Sequence, residues 1–322
     1  MKSILKYWGL VCFLVLSSIA FSQPYPNKPV QVVTPFPPGG AADIVVRLVT
    51  QKLTEELKMT FVVENKPGAG GAIGAQYVAQ ASPNGYTLLI TSSSTLSINP
   101  HLSSKSTYDP LKSFSPIALI GYSPNVLVIN PKLPFQNVGE LIESAKSNPG
   151  KYTFASNGSG TLSHLTGEMF KQSAGIEVLH VPYKGAAPAM VDLSSGQVSI
   201  LFAAYASVNT MMQAGKVRPL GVTSLKRLKI ASEIPTLAES GLQGFESNQW
   251  WGLFGPPGMS PEIVNQLNLT MNKILQSAEI KKRFTEEGIE VLLGKPSSLT
   301  KYLQEDFERW GKVIQKGHIT NN

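Results

Sequence analysis

The chain has 322 residues, 42% of them hydrophobic and 15% charged, and its mean hydropathy is +0.01. That balance belongs to a globular chain and excludes both a disordered polymer and an integral membrane protein. The formal net charge of +7 is scattered, with Lys281-Lys282-Arg283 its densest cluster, so it suits the collection of small anions and is too diffuse for nucleic acid.

The N-terminus opens with Lys2 and Lys6, then an apolar run over 10–16, then small residues at Ser17, Ser18, Ala20 and Ser22. This is the layout of a secretory signal peptide, with cleavage expected after Ser22. The run is well short of the roughly 20 residues a spanning helix needs. Cys12, the single cysteine, falls inside that leader. The mature chain is therefore expected to carry no disulfide and no thiolate metal site. Removing the leader takes two lysines and no acid, which leaves +5.

Lys28-Pro29-Val30-Gln31-Val32-Val33-Thr34-Pro35-Phe36 reads as a buried strand ended by Pro37-Pro38-Gly39-Gly40. Apolar residues at helical spacing follow over 43–57. A strand at 61–63, a helix over 73–81 and a strand at 86–90 continue the alternation, which predicts parallel pairing. The pattern then restarts. Strands are expected at 126–129, 152–155, 178–181 and 199–202. Between them come helices from the Asn137/Glu140 capping box to about 147, over 162–172 and over 187–193. A strand at 250–254 leads to Ser260 and Pro261, a capping residue followed by proline at a helix's first position. Helices over 261–276, 279–287 and 297–316 finish the chain. A run of helices makes a poor domain alone, so it is expected to pack back on the first unit. The expected division is a leader at 1–22, one lobe from 23–123 with 246–322, and a second lobe from 124–245.

Ligands of open α/β sheets bind outside the carboxyl ends of the strands. The segment Phe36, Pro38, Gly39, Gly40, Ala41 and Asp43 lies there, at a helix N-terminus whose free N–H groups suit a carboxylate. It is neither a Walker loop nor the dinucleotide glycine pattern. Asp43, in the first turn, reads first as a dipole-stabilising acid and second as a ligand contact. A second strand-to-helix loop offers Asn157, Gly158, Thr161 and His164; His164 either donates to a carboxylate or caps its own helix. Ser92 and Ser93 after the third strand, and Tyr183 with Lys184 after the sixth, are further candidates. Trp250 and Trp251 read as core packing. No Gly-x-Ser-x-Gly elbow, paired-carboxylate cluster or metal-ligand spacing stands out, so neither catalysis, a cofactor nor a metal is expected.

The chain resembles the substrate-binding proteins of tripartite tricarboxylate transporters, the Bug family, over nearly all of its mature length. The resemblance rests on Pro35-Phe36-Pro37-Pro38-Gly39-Gly40-Ala41-Ala42-Asp43, Val63-Glu64-Asn65-Lys66-Pro67-Gly68-Ala69-Gly70-Gly71 and Pro83-Asn84-Gly85-Tyr86-Thr87-Leu88-Leu89. It continues through Gly160-Thr161-Leu162-Ser163-His164-Leu165, His180-Val181-Pro182-Tyr183-Lys184-Gly185 and Trp251-Gly252-Leu253. It implies an α/β, two-lobed binding fold of the type II, flytrap kind, with two mostly parallel sheets flanked by helices. It also implies a periplasmic receptor for a di- or tricarboxylate or an aromatic acid, monomeric, serving the membrane subunits of a tripartite transporter. Presentation of the closed form to a sensor kinase is the alternative partner reading, and a secreted hydrolase the alternative of another class. Carboxylate contacts are carried onto the loops 38–43 and 157–164. Many members place Asp or Asn after the strand that here ends Ile200-Leu201-Phe202; this chain has Ala203 and Ala204, which implies a less polar distal pocket.

Overall fold

In the computed structural model, which describes residues 25–38, 41–103 and 107–320, β1 (Val30–Thr34) runs through the interior with Val30, Val32 and Val33 fully buried. Its β-branched run packs well on a pleated surface. The leader lies outside the described residues, as do Gly39 and Gly40.

The first half of the chain follows the expected alternation: α1 (Ala41–Leu57), β2 (Phe61–Asn65), α2 (Ala72–Ala79) and β3 (Thr87–Ser92). β1 pairs in parallel with β2 on one side and β3 on the other. A π-turn over Ser94–Ile98 and the short α3 (Asn99–Leu102) lead away from β3.

β4 (Ser115–Ile129) is the element that joins the molecule. Residues 115–124 pair antiparallel with β9 (Asn248–Gly255), while 125–129 pair antiparallel with β7 (Ile200–Ala204) and β8 (Arg218–Val222). Only its second half reads as a strand in the sequence, because Pro116, Gly121 and Pro124 look like breakers. The strand absorbs them with register shifts near Pro116 and Leu119. Gly121 is needed where it stands, since a Cβ there would lie 2.6 Å from the Glu290 carbonyl oxygen.

The second alternation comprises α4 (Val138–Ser147), β5 (Thr153–Ser156), α5 (Leu162–Ala174), β6 (Leu179–Pro182), α6 (Ala186–Ser195), β7, α7 (Tyr205–Gln213) and β8. β5 pairs in parallel with β6 and β7. The Asn137 cap forms as its spacing predicts: Oδ1 accepts from the Glu140 N–H at 2.9 Å. The sheet order is β2-β1-β3-β9-β4-β7-β5-β6, with β8 and β10 (Glu290–Val291) also on β4. Parallel pairing holds at both ends of this curled sheet. The centre is antiparallel because β4 and the returning β9 run against their neighbours.

Two pairs of core clusters follow. Val32, Leu88, Ile117 and Leu253 pack with α8 (Pro261–Gln276) and α9 (Ala278–Glu286). Val33, Leu89 and Trp250 pack on the opposite face with Leu299 and Leu303 of α10 (Pro296–Gly317). The other two clusters gather round Leu127, Phe154 and Phe202, and round Val126, Leu201 and Val222. α10 does more than pack back on the first strands. Its far end sets Trp310, Val313 and Ile314 against Leu162 and Leu165 of α5 and Ile98. With Leu299 and Leu303 these residues form one helical stripe along a rod about 33 Å long, enough to touch both groups of elements. Among the described residues no helix is long and apolar enough to cross a membrane.

Candidate functional site

The carboxyl end of β1 is held by a lock. Asn65 Nδ2 donates to the Phe36 carbonyl at 2.9 Å and to Asp43 Oδ1 at 3.0 Å, while Arg47 Nε donates to Asp43 Oδ2 at 2.7 Å. Asp43 is buried in the first turn of α1. Its two oxygens are thus engaged with Asn65 and Arg47, and its work is to fix how the chain leaves β1 and enters α1. Phe36 is half-buried and Pro38 exposed; Ala41 starts the helix.

Ser92 and Ser93 end β3. Both are fully buried, and their hydroxyls, with those of Thr91 and Thr95, have no hydrogen-bond partner among the described residues. A buried hydroxyl without a partner costs about 1–3 kcal/mol. This concentration at one strand end marks where a bound molecule or water would supply what the protein does not.

The loop from β5 into α5 is self-supporting. Asn157 N–H donates to Ser163 Oγ at 2.9 Å and Gly158 N–H to Ser156 Oγ at 3.2 Å. Gly160 N–H donates to His164 Nδ1 at 3.0 Å, and Thr161 Oγ1 donates to the Gly158 carbonyl at 2.7 Å. Thr161 is the N-cap. The donors left for a ligand are the N–H groups of Leu162 and Ser163, which the helix itself cannot satisfy. Gly158 has φ +137°, which a side chain rarely tolerates. His164 is buried, and its Nδ1 accepts from the Gly160 N–H of its own loop. Asn157 Oδ1 is buried and has no partner among the described residues.

Tyr183 turns its hydroxyl to Asp192 of α6, 2.6 Å away, and burial and that carboxylate push its ionisation up to about 12. Lys184 is exposed. Ala203 is packed in the core beside Val126 and Leu201, whereas Ala204 opens onto a recess. Successive strand residues face opposite sides, so the departure at this strand end reaches the recess through Ala204 and not through Ala203.

That recess, of about 130 Å³, lies where the carboxyl ends of the strands meet. α1 contributes Ile44, β4 Ser123 and Asn125, β9 Gln249 and Trp251, and the β7–α7 junction Ala204, Ala206 and Ser207; Glu287 and Ile289 close it. Of the candidates read from the sequence, only Ala204 lines it among the described residues. Trp251 packs with the core as expected, yet it also forms this wall, and its indole N–H is buried without an acceptor among the described residues. Larger surface hollows lie elsewhere, between α5 and α10 and between α6 and α7, away from these strand ends. The described residues hold no group of His, Cys, Asp and Glu placed to bind a metal ion.

An α/β chain whose two parallel strand sets meet at shared antiparallel strands, with a recess at their carboxyl ends, has the architecture of a periplasmic solute-binding protein. The chain belongs to the Tripartite tricarboxylate transporter family receptor family, whose model matches residues 45–319. It is 34% identical over 293 residues to Protein BugT of Bordetella pertussis, covering 91% of this chain and 90% of that one. An R. palustris protein solved with adipate is 34% identical with a TM-score of 0.77, over 92% of this chain and 99% of that chain. MatC from Rhodopseudomonas palustris, solved with bound malate, is 30% identical with a TM-score of 0.73, over 90% and 100%.

Proposed function

We propose that this chain is an extracytoplasmic receptor that captures a small carboxylate between two lobes, one from 23–123 and 246–322 and the other from 124–245, and delivers it unchanged. The observation that carries this reading is the set of buried polar groups without a partner among the described residues at the end of β3, Ser92 and Ser93, with Ser92 paired in register to Trp251 of the recess wall, whose indole is likewise unpartnered. The adipate and malate held by two relatives agree with it. The carboxylate sits against the helix mouths of α1 and α5, through N–H groups and bridging water rather than through a lysine or arginine. The leader at 1–22 directs export to the periplasm and is cleaved there. The partners are the membrane subunits of a tripartite transporter, met by a monomeric receptor, and no chemistry is done on the ligand.

Closure follows if the ligand contacts both lobes only when they come together, so that it binds the closed state better. Mass spectrometry of the small molecule retained through native purification, followed by a thermal-shift series of acids, tests the reading. A true ligand at about 100 times its Kd adds roughly 2.7 kcal/mol of stability. A chain that retains no acid and melts at the same temperature with every acid tried would overturn it.

A further inference from the structure

We infer that the ligand is a monocarboxylate with a ring-sized apolar body, the body seated in the recess between Ile44, Trp251, Ile289 and Ala204. This deepens the receptor reading and rests on it.

Three observations point the same way. The wall of the recess is nearly all carbon, although serine, asparagine and glutamine contribute to it. Its volume of about 130 Å³ is close to that of an apolar cavity of about 150 Å³ that holds benzene. Among the described residues the lining contains no lysine or arginine and one acid, Glu287. A second carboxylate on the ligand would meet that acid with no cation to offset it, at the cost of losing its water. Nor does the recess favour the ammonium of an amino acid: Glu287 lends a charge, but a wall that is mostly carbon replaces little of the water an ammonium would lose. Among the fully buried donors that lack a partner within the described residues, the Trp251 indole N–H is the one that belongs to this wall, and it suits a ring face or one acceptor atom on the body.

Small side chains make the room. Ala204 and Ala206 stand at the β7–α7 junction, and a longer residue at 204 would project into the space the body occupies.

Isothermal titration of the full mature protein tests this with benzoate, phenylacetate, adipate, malate, citrate, glutamate and benzamide. Benzoate or phenylacetate is expected to bind at least about tenfold more tightly than any di- or triacid or glutamate, and benzamide not to bind. Ala204→Asp is expected to weaken the aromatic acid by about tenfold or more while the unliganded melting temperature stays close to wild type. Glu287→Gln is expected to strengthen adipate by a larger factor than benzoate, a selective response that mere structural damage would not give. Tightest binding by adipate, malate, citrate or glutamate overturns the inference and leaves the receptor reading standing. Equal binding of benzamide and benzoate removes the carboxylate from recognition. Binding of none of the acids overturns both.

Discussion

The imidazole rings of His164 and His180 lie face to face, 3.9 Å between centroids and 9° between planes. One ring belongs to the first turn of α5 and the other to β6, and Phe154 stacks on His180 at 4.8 Å to complete a column. Each imidazole also holds the loop that leads into α5: Gly160 N–H donates to His164 Nδ1, and Ser156 Oγ pairs with His180 Nε2 at 2.7 Å. The shape of the 157–164 loop therefore depends on His164 staying neutral at Nδ1.

Acid should destabilise the protein through this column. Burial first, then the neighbouring His180 and Lys171, push His164 down to about 4; burial, then Lys171, do the same to His180. An unfolded histidine takes its proton near 6.5, so between about 6.5 and 4 the unfolded chain binds more protons than the folded one. The histidine contribution is complete above pH 6.5 and is lost as pH falls toward 4, at about 1.4 kcal/mol per unit of pKa separation before solvent screening. Melting temperatures from pH 7.5 to 4 should fall, and His180→Gln should make that fall shallower. A wild-type melting temperature that does not change over this range would contradict the column's role.

Trp250 Nε1 donates to Asp306 Oδ2 at 2.7 Å, and both side chains are buried. Asp306 also meets Arg309, which reaches Glu246 at the start of the segment returning to β9. Asp306→Ala strands the indole N–H and should cost about 2–4 kcal/mol in chemical denaturation. Asp306→Asn keeps an acceptor for Trp250 and should cost less. The order of the two, more than their absolute values, identifies the hydrogen bond as the reason.

Gly167 in α5 faces Phe154, and a Cβ there would lie 2.2 Å from the ring's Cε2. Phe154 is fully buried, so the ring has no easy retreat. Gly167→Ala should destabilise by about 1–3 kcal/mol or more through overpacking, against the helix propensity that favours alanine. Because Phe154 supports His180, the same variant should disturb the imidazole proton signals in NMR spectra.

Gly158 separates loop strain from packing. A Cβ at 158 meets only ordinary contacts, 3.4 Å to the Tyr183 carbonyl and 3.7 Å to Thr161, but its φ of +137° strains any other residue. Gly158→Ala should cost about 1–3 kcal/mol in folding. It should also weaken, by a clear margin in calorimetry, whichever acid the native protein retains. Unchanged affinity would detach this loop from the site.

Local features were legible because their causes are local. The caps at Asn137 and Ser260 are bonds between a side chain and an N–H three residues on, and both form where the spacing places them. The strand-helix alternation around β1 and around β5 is carried by periodicity within each element. β8 was missed because Pro219 and Gly221 interrupt it. It tolerates them since β4 is the one full strand it pairs with, its other side meeting only a single bridge from Val222 to Thr236, and at Gly221 a Cβ would meet Leu237 at 2.7 Å. α7 has no strong apolar face of its own and follows β7 without a turn signal.

The sequence by itself determined the family, the α/β alternation and the two loops that open helices at strand ends, since each is written in contiguous residues. Only the tertiary structure decided what those loops face. Ile44, Ala204 and Trp251 come from three elements and Ile289 from the turn before β10, all far apart in the chain, and no periodicity relates them. Asp43 braces the strand-helix junction because Asn65, 22 positions away, folds against it. Which side chains share a cavity is fixed by strand register and by the long β4 that spans both sheets, and register is a property of pairs of strands rather than of either one.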